Sequence, residues 1–137
     1  MQLSNTSQYA VRIMSYIANS SQNKLYSAKE LSDILSIPYK FLTKIMAELV
    51  RSEYIISVRG RDGGYKLSKP ASSITVLEIL NQFNEFLDSK DCLLGIGKCD
   101  GKNKCGLHDQ WAKPKNMIQK MFKNTTLNEL DGDNFKL

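Results

Sequence analysis

Residues 38–67 read PYKFLTKIMAELVRSEYIISVRGRDGGYKL, and a change of hydrophobic period inside this stretch decides the fold. Phe41, Leu42, Ile45, Met46, Leu49 and Val50 recur at spacings of three and four, the apolar face of a helix. Lys40, Thr43, Lys44, Ala47 and Arg51 fall on the opposite face. Pro38, with its fixed φ and no amide to lose, suits the first turn of that helix. At Tyr54 the period shortens. Tyr54-Ile55-Ile56-Ser57-Val58 is apolar and β-branched and predicts a strand, Arg59-Gly60-Arg61-Asp62-Gly63-Gly64 a turn, and Tyr65-Lys66-Leu67 the returning strand. The turn glycines allow positive φ and close backbone approach.

Upstream, Ser27-Ala28-Lys29-Glu30 has the form of a capping box: the serine hydroxyl accepts a free helix amide while the glutamate reaches back. It opens a short helix with Leu31, Ile34 and Leu35 inward, broken by Ser36-Ile37-Pro38. Before it, Tyr9, Ala10, Ile13, Met14, Ile17 and Ala18 make a first helical stripe, closed by Ser20-Ser21-Gln22-Asn23. Two short helices, a tight break, an amphipathic helix and a basic hairpin predict a winged helix-turn-helix: a mostly α fold with a small β-hairpin wing.

Downstream, Thr75-Val76-Leu77-Glu78 is a second capping box, and its helix carries Leu77, Ile79, Leu80 and Phe83. From Asp88 to Gly106 the chain reads as loop, holding four of the eight glycines and all three cysteines. A last helical stripe uses Trp111, Pro114, Ile118 and Met121 or Phe122, close to a heptad seam. Thr126 to Leu130 adds a final turn, and Asp131 to Leu137 is expected to fray. There is no internal repeat. The expected division is a DNA-binding unit over 1–70, a helix, cysteine loop and last helix over 71–130, and a flexible tail over 131–137.

The net charge of +5 is unevenly placed. Between Ser36 and Pro70 lie seven bases (Lys40, Lys44, Arg51, Arg59, Arg61, Lys66, Lys69) against three acids (Glu48, Glu53, Asp62), four of the five net charges. An excess gathered on one short segment is what a polyanion-binding face needs, although a solvated charged face also has this composition. A helix fits the DNA major groove, and a hairpin tipped by Arg59 and Arg61 can grip phosphate or enter the adjacent minor groove. The candidate DNA-contacting residues are Tyr39, Lys40, Thr43, Lys44, Arg51, Arg59, Gly60, Arg61 and Lys66. No run approaches the ~18 apolar residues of a membrane span. The first residues lack the pattern of a signal peptide, so a cytoplasmic location is expected. No Ser-His-Asp arrangement or strand-following phosphate loop is present, and an enzyme is not expected.

Three cysteines cannot pair off completely, and all fall between Cys92 and Cys105 with spacing C-x6-C-x5-C. Metal or redox chemistry explains that clustering better than a disulfide framework. Soft thiolates on a glycine-rich loop suit an iron–sulfur cluster. Zinc and unligated redox thiols stay open on spacing alone, although paired C-x2-4-C ligands are absent. Lys98, Lys102 and Lys104 are expected to favour thiolate over thiol. His108, the one histidine, follows Cys105 closely and is the candidate fourth ligand. The alternative is that it simply begins the last helix, with water or a partner-chain group as fourth ligand.

Met1-Gln2-Leu3-Ser4, Tyr9-Ala10-Val11, Ile37-Pro38-Tyr39-Lys40-Phe41-Leu42 and above all Ser57-Val58-Arg59-Gly60-Arg61-Asp62-Gly63-Gly64-Tyr65-Lys66-Leu67 resemble the iron–sulfur-cluster regulator family of winged-helix transcription factors, the IscR, NsrR and RirA type, with CymR as a cluster-free relative. The resemblance runs from Met1 to about Leu130. It implies a DNA-binding regulator, expected to be a repressor. It also implies a homodimer on double-stranded operator DNA, joined by a long C-terminal dimerisation helix. Operator affinity would follow an iron–sulfur cluster that senses redox, nitric oxide or iron status. The spacing of His108 matches the IscR-type ligand, which favours a 2Fe–2S cluster on Cys92, Cys99, Cys105 and His108; a 4Fe–4S cluster is the alternative. NsrR-type members take an acidic ligand from the partner's first helix, and Ser4 to Arg12 contains no acid, with Gln8 a poor substitute. Two departures matter. Thr43 stands where IscR-type members have a site-discriminating glutamate, so operator preference does not transfer. Pro114 removes an amide inside the last helix, which must start near Ala112 or kink. Trp111 is expected in core or seam. A thiol- or zinc-dependent regulator and an iron–sulfur carrier are the rival readings; the carrier would have no use for a basic wing.

Overall fold

The computed structural model describes residues 3–20, 24–83, 92–94, 96–97, 99 and 102–130. Ser21 to Asn23, Asp88 to Asp91, Lys98 and the tail 131–137 lie outside the described residues. Helix α1 (Asn5–Ala18) buries Ala10, Ile13, Met14 and Ile17, and the Ser4 hydroxyl caps it by accepting from the Ser7 amide at 3.2 Å. Helix α2 (Ala28–Leu35) starts at the expected capping box, with Ser27 and Glu30 bonded reciprocally. Its last carbonyl, on Leu35, accepts from the Arg12 guanidinium at 2.6 Å, and a cation there also complements the helix dipole. Ser36 turns the chain in the left-handed region, Ile37 buries itself, and Pro38 stands just ahead of α3 (Tyr39–Arg51).

Leu42, Ile45, Met46 and Leu49 form the buried stripe of α3, as their spacing predicts. Two expected core residues are not in it. Ile34 is 50% exposed and Phe41 is 54% exposed. Leu31 and Leu35 already fill the core-facing side of α2, so Ile34 rides its flank; Phe41 sits in the first turn of α3, ahead of the point where burial begins.

Strands β1 (Ile55–Val58) and β2 (Gly64–Leu67) pair antiparallel, with Ile55 opposite Leu67 and Val58 opposite Gly64. Tyr26 adds a third, one-residue edge by exchanging backbone bonds with Tyr65 at 2.8 and 3.2 Å. The glycine requirement is sharpest at this root. A Cβ on Gly63 would lie 2.0 Å from the Val58 carbonyl oxygen, and one on Gly64 would lie 2.8 Å from that of Tyr26.

A 3-10 turn (Ala71–Ser73) leads to α4 (Val76–Gln82), capped by the Thr75–Glu78 box. Of the two ways to accommodate Pro114, the late start does not occur: α5 runs from His108 to Lys123, with Pro114 inside it. None of its residues is buried in the single chain. Ile118 and Phe122 lean on Val76 and Leu80, whereas Met117 and Met121 point outward, 63% and 54% exposed. After α5 the chain returns to the front of the molecule. The Val76 amide bonds the Thr125 carbonyl, the Leu127 amide bonds that of Ile74, and Leu127 is fully buried in the main core. The Ser15 hydroxyl donates to the Leu130 carbonyl at 2.8 Å, and the Asn19 amide donates to the Leu127 and Leu130 carbonyls at 3.2 and 3.0 Å. These bonds bolt the turn after α5 to α1.

Candidate nucleic-acid interface and metal centre

The buried stripe of α3 fixes what its other side offers. Tyr39, Lys40 and Lys44 are exposed, and Thr43 is half-buried with its hydroxyl bonded to the Lys40 carbonyl at 3.1 Å. Arg59, Gly60 and Arg61 are exposed at the hairpin tip. Two candidates stand differently. Arg51, at the far end of α3, donates Nε–H to Glu48 Oε2 at 3.0 Å; the hydrogen bond raises the arginine pKa and holds the Glu48 carboxyl below its ordinary range. Lys66 is exposed on β2 and shares a cleft with Lys24 and Lys69. Periodicity assigns Phe41 to the core, yet the fold presents it beside Lys40 and Lys44; only its place in the first helical turn hints at this.

The three cysteine sulfurs all lie within 4.8 Å of one another. Cys92 is buried, and Cys99 and Cys105 are half-buried. The loop folds back on itself through the Cys92 amide, bonded to the Gly97 carbonyl at 2.8 Å. Backbone amides approach two of the sulfurs: Leu94 N–H to Cys92 Sγ at 3.4 Å and Cys105 N–H to Cys99 Sγ at 3.3 Å. The bond from Ile96, then the Cys105 thiol and the Leu94 amide, hold the Cys92 thiol below its ordinary pKa, and Cys92 in turn pushes Cys105 up. Among the described residues, amides and a neighbouring thiol are therefore the cause, where the sequence suggests lysines; Lys98 lies outside them. Lys104 is paired with Asp109 at 3.0 Å instead.

His108 is the first residue of α5, and its Nδ1 lies 2.9 Å from Cys99 Sγ. His108 thus both begins the helix and faces the thiols. Trp111, Lys115 and Gln119 of α5 close the same pocket, which places Trp111 on the wall of the thiol site. Gln8 is committed elsewhere, donating to the Leu3 carbonyl at 2.7 Å. Three soft thiols, one imidazole and sulfur-directed amides form a donor set suited to a 2Fe–2S or similar iron–sulfur cluster.

The Rrf2 family profile, described as an iron-dependent transcriptional regulator, matches residues 3–132. The chain belongs to the Rrf2 family. An HTH-type transcriptional regulator of Aquifex aeolicus is 34% identical over 132 residues, covering 95% of this chain and 91% of that one. The HTH-type transcriptional regulator IscR of Klebsiella pneumoniae is 33% identical over 130 residues, covering 95% and 79%. Among solved structures, CymR, the global cysteine regulator of B. subtilis, superimposes with a TM-score of 0.80 at 18% identity, covering 97% of this chain and 98% of that one. IscR of T. potens gives 0.76 at 24% identity, covering 99% and 90%. These two likenesses establish the fold. This Rrf2-family chain is a DNA-binding winged-helix transcription regulator and not an enzyme. No helix among the described residues is long and apolar enough to cross a membrane.

Proposed function

We propose that this protein acts in the cytoplasm as a homodimeric repressor whose affinity for operator DNA is set by an iron–sulfur cluster on Cys92, Cys99, Cys105 and His108. The carrying observation is the gathering of the three sulfurs within 4.8 Å beside an imidazole that is also the first residue of α5. When bound, such a cluster supplies a redox-active centre that oxidant, nitric oxide or iron scarcity can alter. The protein's own part is mechanical. Ligation through His108 ties the 92–107 loop to the start of α5, so the ligand state bears on how α5 is held. The segment 1–70 reads DNA, and 71–130 senses and dimerises.

On DNA, Tyr39, Lys40, Thr43 and Lys44 meet base edges and nearby phosphates from α3, and Arg59, Gly60 and Arg61 clamp the backbone from the wing, with Arg51 and Lys66 at the periphery. The exposed Met117 and Met121, with Met117 lining a groove of about 1100 Å³ between α4 and α5, support α5 as the seat of a second copy. Iron and sulfide quantitation with an absorption spectrum, on protein purified without oxygen, tests the cofactor. Operator binding is then measured with the cluster loaded and stripped. The expected result is a visible chromophore that Cys92→Ala, Cys99→Ala and Cys105→Ala together abolish, with a changed operator affinity. Stoichiometric zinc without sulfide would overturn the cluster, and equal affinity of both forms would overturn the control of binding.

A further inference from the structure

We infer that Phe41 is a specificity-determining residue that reads the methyl group of a thymine in each operator half-site. This rests on α3 being the DNA-reading helix. The observation is the exposure of a large apolar side chain at the end of α3 where burial has not yet begun: Phe41 is 54% exposed, while the core stripe starts at Leu42. It is adjacent to Lys40, and Lys44 follows it by three residues, the spacing that makes helical neighbours. The apolar surface is therefore continuous with the cationic one.

A recognition helix presents its N-terminal residues to base edges. Most of what the major groove displays there is hydrogen-bond donors and acceptors, and Phe41 has no polar atom with which to answer them. Facing those groups, it would strip water from them and return nothing. The one apolar feature of a base pair in that groove is the thymine C5-methyl group, and aromatic contact with it is favourable. Tyr39, 56% exposed two residues earlier, carries a hydroxyl and has polar alternatives; Phe41 does not. A phenylalanine at this position thus selects A·T over G·C at the pair it meets, and does so by the methyl alone.

Deoxyuridine in place of thymidine deletes that methyl and leaves the pairing pattern intact, which makes the test specific. Operator duplexes are recovered by selection from random DNA with the full-length protein. Their thymines are then replaced by deoxyuridine, one symmetric pair at a time, and binding is followed by fluorescence anisotropy at fixed low salt. At one position the wild type is expected to bind the uridine duplex about fourfold more weakly per half-site, about the value of one buried carbon group, and roughly fifteenfold across both. Phe41→Ala should bind the two duplexes equally, and Phe41→Leu, still apolar, should keep most of the difference. Uridine duplexes that all bind the wild type as tightly as their thymine forms overturn the inference, as does a Phe41→Ala protein that keeps the full difference. Failure to recover any duplex is a distinct result: it overturns the assignment of α3 as a DNA reader, and the inference with it.

Discussion

Arg59 and Arg61 flank Gly60 at the tip of the hairpin, exposed and followed by the glycine-dependent root at Gly63 and Gly64. Arg51 has the same charge and a different situation, because Glu48 already holds its guanidinium. An arginine answered by a carboxylate gives less to a phosphate than one facing solvent, since the existing hydrogen bonds must be broken first. The wing arginines are therefore expected to dominate the salt dependence of DNA binding. Every phosphate that a cation no longer neutralises lowers the slope of log K against log salt by about 0.9, so Arg59→Ala and Arg61→Ala should each lower it by about 1.8 in a dimer. Arg51→Ala should change it by much less. Equilibrium titrations at four or more salt concentrations measure these slopes. Wild-type slopes in both wing variants would mean that the hairpin does not grip the backbone.

Elements differ in how much of them a sequence can disclose, and the difference follows from range. The capping boxes at Ser27–Glu30 and Thr75–Glu78 are legible because the partners lie three residues apart and need no tertiary context. The wing is legible because turn chemistry coincides with an apolar, β-branched run. Period alone places Ile34 and Phe41 inward because it gives the centre of a stripe, whereas the edge depends on where the rest of the core ends. In the thiol site, ligand types and clustering can be read; the amides that depress Cys92 cannot, since loop backbone geometry has no signature in residue type. Helix α5 shows the same limit: its stripe is visible, but the division between Ile118 and Phe122 facing α4 and Met117 and Met121 facing out depends on α4 being there. That division yields a prediction. Met117→Glu with Met121→Glu puts charge on the outward face and leaves the packing on α4 alone, so the monomer should stay folded while the dimer dissociates. Sedimentation velocity with circular dichroism would report it, and a folded double variant that remains dimeric would move the subunit interface off this face.

At the scale of the whole molecule, a change at residues 92–108 must reach a reading head built from 39–67, and the hydrogen bonds offer a continuous mechanical route. His108 opens α5, α5 ends in the turn at Thr125–Leu130, and that turn is bolted to α1 by Ser15 and Asn19. From α1, Arg12 grips the Leu35 carbonyl at the end of α2, one short turn from α3. Spatial continuity by itself does not establish coupling; a variant that weakens the route must change the coupling and leave both of its ends working. Asn19 is the informative position, since its amide spans two carbonyls more than a hundred residues away and touches neither thiols nor the DNA face. Asn19→Ala is expected to retain cluster loading and to bind operator, while the ratio of affinities between loaded and stripped protein contracts by about two- to thirtyfold, the range of intermediate-residue effects on coupling. Anisotropy titrations of both forms, with iron quantitation on the same samples, give that ratio directly. Should the ratio match the wild type while the variant loads and binds normally, the link between α1 and the C-terminal turn carries no signal, and the effect of ligation must pass instead through the separation of the two α5 helices across the dimer.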